Sequence, residues 1–288
     1  MITFDFTYYQ PKKIGEAVDL YRQMSDQAKQ PLYYAGGTEI LTFGRVNKIY
    51  TEAVIDLKHI PECTQLQQVD GALHIGAALP LSTVREALQN RQVFALISET
   101  IRGIADQTSR NKITVGGNLC GTIIFREMTL PLLLTDSQIG VAGENGITER
   151  SVHDVCKQGA QLGQNEFIAY VRIDEKYANC PSIVIKKRKQ GTIGYPLVTV
   201  AAIKVDGRTR VALSGYAAYP FRSEEFENTL NQPDVPVDDR VKQAVDSVRD
   251  KAICDVNGSK EYRSFLLGNV LQDILTHLEG DQYVQVRD

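Results

Sequence analysis

No apolar run in this 288-residue chain approaches the roughly 20 residues that cross a bilayer; the longest, 130–134 and 198–203, stop far short. A membrane span is therefore not expected. Residues 1–9 lack a basic stretch leading into an apolar one, so no secretory signal is expected and a cytoplasmic location is. Cysteine is scarce and odd in number: Cys63, Cys120, Cys156, Cys180 and Cys254 come no closer than 24 residues to one another. That spacing suits neither a zinc knuckle nor an iron–sulfur ligand run, and it argues against a disulfide framework, so reduced thiols are expected. Charge of one sign is also missing. With 32 basic and 35 acidic residues the net charge is -3, and no basic excess draws the chain to a phosphodiester backbone. The four histidines His59, His74, His153 and His277 never fall at i, i+4, and no metal site is expected. There is no G-x-G-x-x-G, no Walker-type loop, no H-E-x-x-H and no G-x-S-x-G. No catalytic side chain can be named.

The composition, 43% hydrophobic and 23% charged, is that of a globular protein, long enough for one large or two to three compact units. The chain reads as mixed α and β throughout. An extended piece over 2–8 precedes a helix after Pro11 with Ile14, Val18 and Tyr21 on one face. Strands are expected over 31–35, 53–57 and 72–78. A helix follows with Ser82 and Thr83 as cap candidates, then an apolar helix over 93–104. Further on, a helix over 128–134 and strands over 138–142 and 166–173 lead to a polar break at 175–181. Asp206-Gly207 between two apolar runs predicts a β-hairpin, because the pair supplies the positive φ angles of a tight turn. The tail carries an amphipathic helix over 262–278, its apolar face formed by Phe265, Leu266, Val270, Ile274 and Leu278.

Two glycine pairs remain. Gly36-Gly37-Thr38-Glu39 follows a short strand and presents backbone N–H groups that no side chain obstructs, a concavity suited to an anion. Thr114-Val115-Gly116-Gly117-Asn118 repeats the feature with an asparagine that both donates and accepts. A diphosphate held there gains charge-assisted hydrogen bonds of about 1.5–3 kcal/mol each. A single Gly-Gly pair also serves the steric needs of a turn, so the functional reading requires the two loops to converge in space.

Ala35-Gly36-Gly37-Thr38-Glu39 followed by Thr114-Val115-Gly116-Gly117-Asn118-Leu119-Cys120 resembles the two FAD-binding motifs of the flavin subunit, or medium chain, of molybdenum hydroxylases. Members of that family include the xanthine dehydrogenase and carbon monoxide dehydrogenase type flavoproteins. The resemblance implies an α+β fold: a two-lobed PCMH-type FAD-binding domain (lobes 1–57 and 58–176) and a small α+β C-terminal domain (177–288). It implies FAD between the lobes, its diphosphate on both loops. The residues it nominates are Ala35, Gly36, Gly37, Thr38, Glu39 and Ile40, then Ile104 near the flavin, then Thr114, Gly116, Gly117 and Asn118. Glu127 stands nine residues after the Asn, where the family commonly has Asp, and Thr122-Ile123-Ile124 replaces a small-Ser-Pro stretch. The resemblance further implies partners: an iron–sulfur small subunit and a molybdopterin large subunit, with electrons leaving the flavin for NAD or another acceptor. A self-contained FAD-dependent oxidoreductase and a non-flavin scaffold or assembly protein remain open alternatives. The cluster Lys186-Lys187-Arg188-Lys189 reads as a solvated strand end or an attractor of an acidic partner or nucleotide phosphate. The Arg110-Asn111-Lys112 turn reads as merely polar.

Overall fold

A computed structural model describes residues 4–91, 94–191 and 194–280. The first strand expected over 2–8 and the helix expected from residue 93 thus begin outside the described residues, at Ile2-Thr3 and Val93. The chain builds three sheets. The first is small and parallel, in the order β1 (Thr7–Tyr9), β3 (Ala53–Asp56), β2 (Leu32–Tyr34). Helix α1 (Ile14–Asp26) crosses from β1 to β2 and buries Ile14, Ala17, Val18 and Met24, as the 3.6-residue pattern requires. Just ahead of its start, the Glu16 carboxylate accepts the Lys12 amide at 2.8 Å. Helix α2 (Thr38–Arg45) leaves the end of β2 through Gly36-Gly37.

The second sheet has the order β4 (Leu66–Val69), β5 (Ala72–Gly76), β8 (Phe167–Asp174), β6 (Gln138–Gly143), β7 (Gly146–Ser151), all pairs antiparallel. Before it comes the single turn α3 (Pro61–Thr64). Between β5 and β6 run α4 (Leu81–Arg91), α5 (Ala95–Gly103), α6 (Gln107–Arg110), α7 (Val115–Cys120) and α8 (Thr129–Leu134); α9 (Val152–Val155) follows β7. Helix α4 begins at Leu81, directly after Pro80, so Ser82 and Thr83 lie inside its first turn rather than capping it. These helices and the sheet enclose the largest core, with Leu81, Leu88, Ile101, Leu119, Leu130 and Ile139 fully buried.

The third sheet is an antiparallel ribbon, β9 (Ser182–Arg188), β10 (Pro196–Val205), β11 (Arg208–Ser214) and β12 (Phe221–Arg222), ordered β12-β11-β10-β9. The Asp206-Gly207 turn joins β10 to β11 with φ of 50° and 79°, pairing Val205 with Arg208. Helices α10 (Glu224–Leu230), α11 (Val237–Val248) and α12 (Lys260–Glu279) complete this unit. In α12 the buried face is set by Arg263, Leu267, Val270, Leu271, Ile274, Leu275 and Leu278, whereas Phe265 is 62% exposed. Val270, Ile274 and Leu278 of the expected face are buried and Leu266 packs against the core, so of that face only Phe265 points outward; Arg263 joins the buried side. Its guanidinium donates to the Gly215 carbonyl at 2.6 Å and to Asp255 at 2.8 Å. Among the described residues, no helix is long and apolar enough to cross a membrane.

A third core joins the first two sheets. Ile14, Ala17, Val18 and Ile55 from the first pack with Ala142, Phe167 and Ala169 from the second. Tyr33 seals this seam: it stacks on Tyr21 with ring centroids 4.7 Å apart, meets Phe167 at 4.7 Å, and donates its hydroxyl to the Asn165 carbonyl at 2.9 Å. Burial pushes the Tyr33 phenol well above its ordinary range.

Candidate functional site

The first glycine motif sits where β2 ends. Gly37 adopts φ of 70°, the left-handed region that only glycine enters freely, and precedes the first turn of α2. A Cβ on Gly37 would overlap the Tyr34 ring. A Cβ on Gly36 would overlap the Lys112 carbonyl oxygen and stand 3.3 Å from Thr114 Cγ2, so Gly36 is where the two motifs touch. The amides of Gly36, Gly37, Thr38, Glu39 and Ile40 have no partner among the described residues. The first loop thus presents the bare N–H groups expected of it, and α2 adds its positive end there. Beneath lies a charged support. Lys58 Nζ donates to the Ala35 carbonyl at 3.1 Å and to Asp56 at 2.7 Å, and stands 4.4 Å over the Tyr34 ring. Tyr8 donates its hydroxyl to the same buried Asp56. Burial first, then the Asp56 hydrogen bond and charge, push the Tyr8 phenol up to about 12.

The second motif differs from the open loop expected. Residues 115–120 form the short helix α7, with Thr114 as its N-cap accepting the Gly117 amide at 3.2 Å. The Val115 amide donates to the Leu79 carbonyl, Gly116 to Ala77 at 2.8 Å and Asn118 to Thr114 at 2.9 Å. All four amides over 115–118 are thus engaged by the fold, and the expectation that this loop offers bare N–H groups is corrected. The reason is tertiary. Gly116 lies so close to β5's end that a Cβ would stand 2.8 Å from Ala77 Cβ.

The two motifs do converge. One cavity of about 270 Å³ is lined by Ala35, Gly36, Gly37, Thr38, Glu39 and Ile40 from the first and by Thr114, Gly116 and Gly117 from the second. The other three nominated residues do not line it. Ile104 is buried in the largest core after α5. Asn118 accepts the Met128 amide at 3.0 Å, bracing the turn into α8. Glu127 is 6% exposed, with Oε2 at 2.7 Å from Lys186 Nζ and Oε1 accepting the Thr199 hydroxyl at 2.7 Å. Both its oxygens are held by the third sheet. Burial pulls the Lys186 ammonium down, and the Glu127 charge and hydrogen bond offset only part of that.

This pair corrects the reading of 186–189 as a solvated strand end. Lys186 also donates to the Gly103 carbonyl at 2.7 Å, Arg188 to Gly103 at 3.1 Å and Lys189 to Val256 at 2.9 Å. Nor is the 110–112 turn only polar: Arg110 is buried and donates to the Ile104 and Ala105 carbonyls at 2.8 Å each.

Sequence reasoning missed several wall residues. Tyr33 and Tyr34 adjoin the first motif, and their place in β2 was the available signal. Cys120, Leu162, Glu166 and Phe167 also line the cavity, the last three brought from a distant loop and strand by the second sheet. Glu166 is fixed by the Gly163 amide at 2.7 Å and Arg150 at 3.2 Å.

A family model described as "FAD binding domain in molybdopterin dehydrogenase" matches residues 4–174. The carbon monoxide dehydrogenase medium chain of Hydrogenophaga pseudoflava is 25% identical, over 96% of this chain and 97% of its own. The nicotinate dehydrogenase FAD-subunit of Eubacterium barkeri is 24% identical over 96% and 98%. Among solved structures, carbon monoxide dehydrogenase from Hydrogenophaga pseudoflava superposes with a TM-score of 0.86 at 22% identity, covering 97% of this chain and 99% of that one. Quinoline 2-oxidoreductase from Pseudomonas putida 86 gives 0.84 at 19% identity, over 96% and 98%. These likenesses carry the fold, including the α+β C-terminal unit beyond the family model. With that model spanning more than half of the chain and the glycine motifs meeting in one cavity, this protein belongs to the FAD-binding domain family of molybdopterin dehydrogenases, and it is an FAD-dependent oxidoreductase subunit.

Proposed function

We propose that this chain is the flavin-bearing subunit of a molybdenum hydroxylase complex, receiving electrons from iron–sulfur clusters on a small partner subunit and passing them through FAD to NAD or another acceptor. A large partner subunit would hold molybdopterin and the substrate, and the complex would work in the cytoplasm. The names of the relatives, a medium chain and an FAD-subunit, support a division of labour among chains. FAD supplies the redox chemistry, accepting and releasing electrons one or two at a time; the protein positions and tunes it.

The observation that carries the reading is the run of five unpartnered amides over 36–40, facing a cavity that the second motif closes. Those amides and the Thr38 hydroxyl hold the diphosphate in this reading. Thr114, Gly116 and Gly117 form the opposite wall, where glycine lets a ligand approach the backbone closely. Asn118 and Ile104 act one layer behind, by holding α8 and α5 in place. The cavity stands at the low end of small-molecule sites, so it encloses part of a dinucleotide and leaves the remainder along the surface.

The test is purification of the chain with whatever accompanies it. Visible flavin absorbance together with copurifying iron–sulfur and molybdopterin chains supports the proposal. Flavin reduced by a small substrate with no other chain present favours a self-contained oxidoreductase, and a colourless protein that takes up no added FAD favours a scaffold.

A further inference from the structure

Tyr34 ends β2, two positions before the first glycine pair, and lines the larger cavity together with residues 36–40. The phenols around it spend their hydroxyls on the protein. Tyr8 donates to Asp56, and Tyr33 donates to the Asn165 carbonyl at 2.9 Å. The Tyr34 hydroxyl has no hydrogen-bond partner among the described residues, yet its oxygen is not one of the sealed, unpartnered atoms of the interior, so it meets open space. Tyr34 and Ile40 divide the larger cavity from a smaller apolar one of about 80 Å³ around Phe4, Phe6 and Leu41. The hydroxyl lies on the larger side: its oxygen is 2.5 Å from the point a Cβ on Gly37 would occupy, and Gly37 lines the larger cavity and not the smaller.

The surroundings hold this phenol in place as a donor. One edge of its ring lies against the bare Cα of Gly37, which gives the glycine a second purpose besides its φ of 70°. On the ring face, Lys58 Nζ stands 4.4 Å from the centroid and also donates to the Ala35 carbonyl, so ring and loop share one anchor. The Tyr8 ring meets it edge-on at 6.3 Å. Burial first, then the Asp56 charge, raise the Tyr34 phenol above its ordinary value, so it keeps its proton at neutral pH. A cation on the ring face draws electron density from the oxygen and strengthens the O–H as a donor.

From this geometry we infer that Tyr34 is a binding residue of the cofactor site, its hydroxyl donating to an oxygen of the dinucleotide's diphosphate beside the amides of 36–40. The inference rests on the FAD reading. A hydrogen bond to a charged acceptor is stronger than one between neutral groups, and here no bond within the protein has to break for it to form.

The experiment uses the flavin-free full-length chain and the variants Y34F and Y50F, with FAD and inorganic pyrophosphate titrated separately. Y34F removes an oxygen that bonds nothing in the free protein, so its unfolding temperature without ligand should equal that of wild type. Its dissociation constants for FAD and for pyrophosphate should both rise about tenfold. Y50F makes the same chemical change at an exposed tyrosine outside the cavity and should leave both constants alone. The chain has 13 tyrosines and no tryptophan, so its near-ultraviolet absorbance reports phenols. Pyrophosphate, which does not absorb there, should give a tyrosine difference spectrum in wild type and a much smaller one in Y34F. Three results overturn the inference: Y34F binding both ligands like wild type, Y34F losing FAD while binding pyrophosphate unchanged, or unliganded Y34F unfolding at a lower temperature in step with its lost affinity. Failure of the flavin reading looks different. Wild type would then take up no FAD, and pyrophosphate binding that still depends on Tyr34 would sustain an anion site of another kind, whereas binding of neither ligand would end both.

Discussion

Both carboxylate oxygens of Glu39 reach the amide of Thr122, at 3.0 and 3.1 Å, and Oε1 also accepts the Thr122 hydroxyl at 2.8 Å. The link ties the first turn of α2 to the chain leaving α7, 83 residues away, across one edge of the cavity. A charged acceptor is worth about 1.5–3 kcal/mol per hydrogen bond. Replacing Glu39 with alanine is expected to lower flavin retention about tenfold and to lower the unfolding temperature as well, since Glu39 is half-buried and loses its contacts to the exposed Thr122. The flavin-to-protein absorbance ratio after dialysis checks this; equal retention would leave the clasp without a part in binding.

Glycine at 36 and 37 answers to different neighbours, and alanine at each should fail for different reasons. At Gly36 the obstacle is the Lys112 backbone, which no rotamer relieves. At Gly37 it is a φ of 70° together with the Tyr34 ring. Each change is expected to cost about 1–3 kcal/mol in stability and to reduce flavin content. Gly268, inside α12 with its nearest foreign atom at 3.9 Å, is the control: alanine there should stabilise by about 0.5–1 kcal/mol and leave flavin content alone. Urea unfolding of the three variants tests the contrast.

Asp136 gathers charge where the second and third units meet. It accepts from Arg210 at 2.7 Å, Arg222 at 2.8 Å and His153 at 2.9 Å. Burial alone would raise its carboxyl, but the His153 hydrogen bond and the two arginines more than offset this and hold it at about 2. Because the folded value lies below the ordinary 3.8, the stabilisation is complete above about pH 4 and fades as pH falls toward 2. Asp136→Asn should therefore lower the unfolding temperature at pH 7, and the gap to wild type should close between pH 4 and 2. A gap that stayed constant with pH would contradict the charge assignment.

The Glu127–Lys186 pair is almost fully buried, with side-chain exposures of 7% and 8%. Lys186→Met strands a carboxylate in the interior and should cost about 3–5 kcal/mol. Adding Glu127→Gln removes that charge while an amide oxygen still accepts from Thr199, so the double variant should recover much of the loss. Chemical denaturation of the single and double variants measures the coupling. Flavin content in the double variant should match wild type, since neither residue lines the cavity.

What could be read from the sequence was mostly what local chemistry decides. The Asp206-Gly207 hairpin, the crossing helix α1 and the first glycine turn depend on residues close in the chain, and each formed where its pattern placed it. The short edge strand β4, with three exposed residues out of four, carried no apolar alternation to announce it. Gly116 and Gly117 looked like a free loop because the carbonyl that occupies the Gly116 amide belongs to Ala77, and no local spacing reveals that neighbour. Glu127 kept the acidic character the resemblance suggested, but a lysine on β9 claims it, a contact made across 59 positions.

The seam core beneath Tyr33 has a bearing on how ligand exchange proceeds. Since Ile14, Val18 and Ile55 share one hydrophobic interior with Phe167 and Ala169, the two walls of the cleft are joined by a common core. Entry and escape then call for side-chain and loop breathing instead of a jaw swinging open, and a fragment ending near residue 57 would expose its greasy underside and aggregate instead of surviving as a miniature half-receptor.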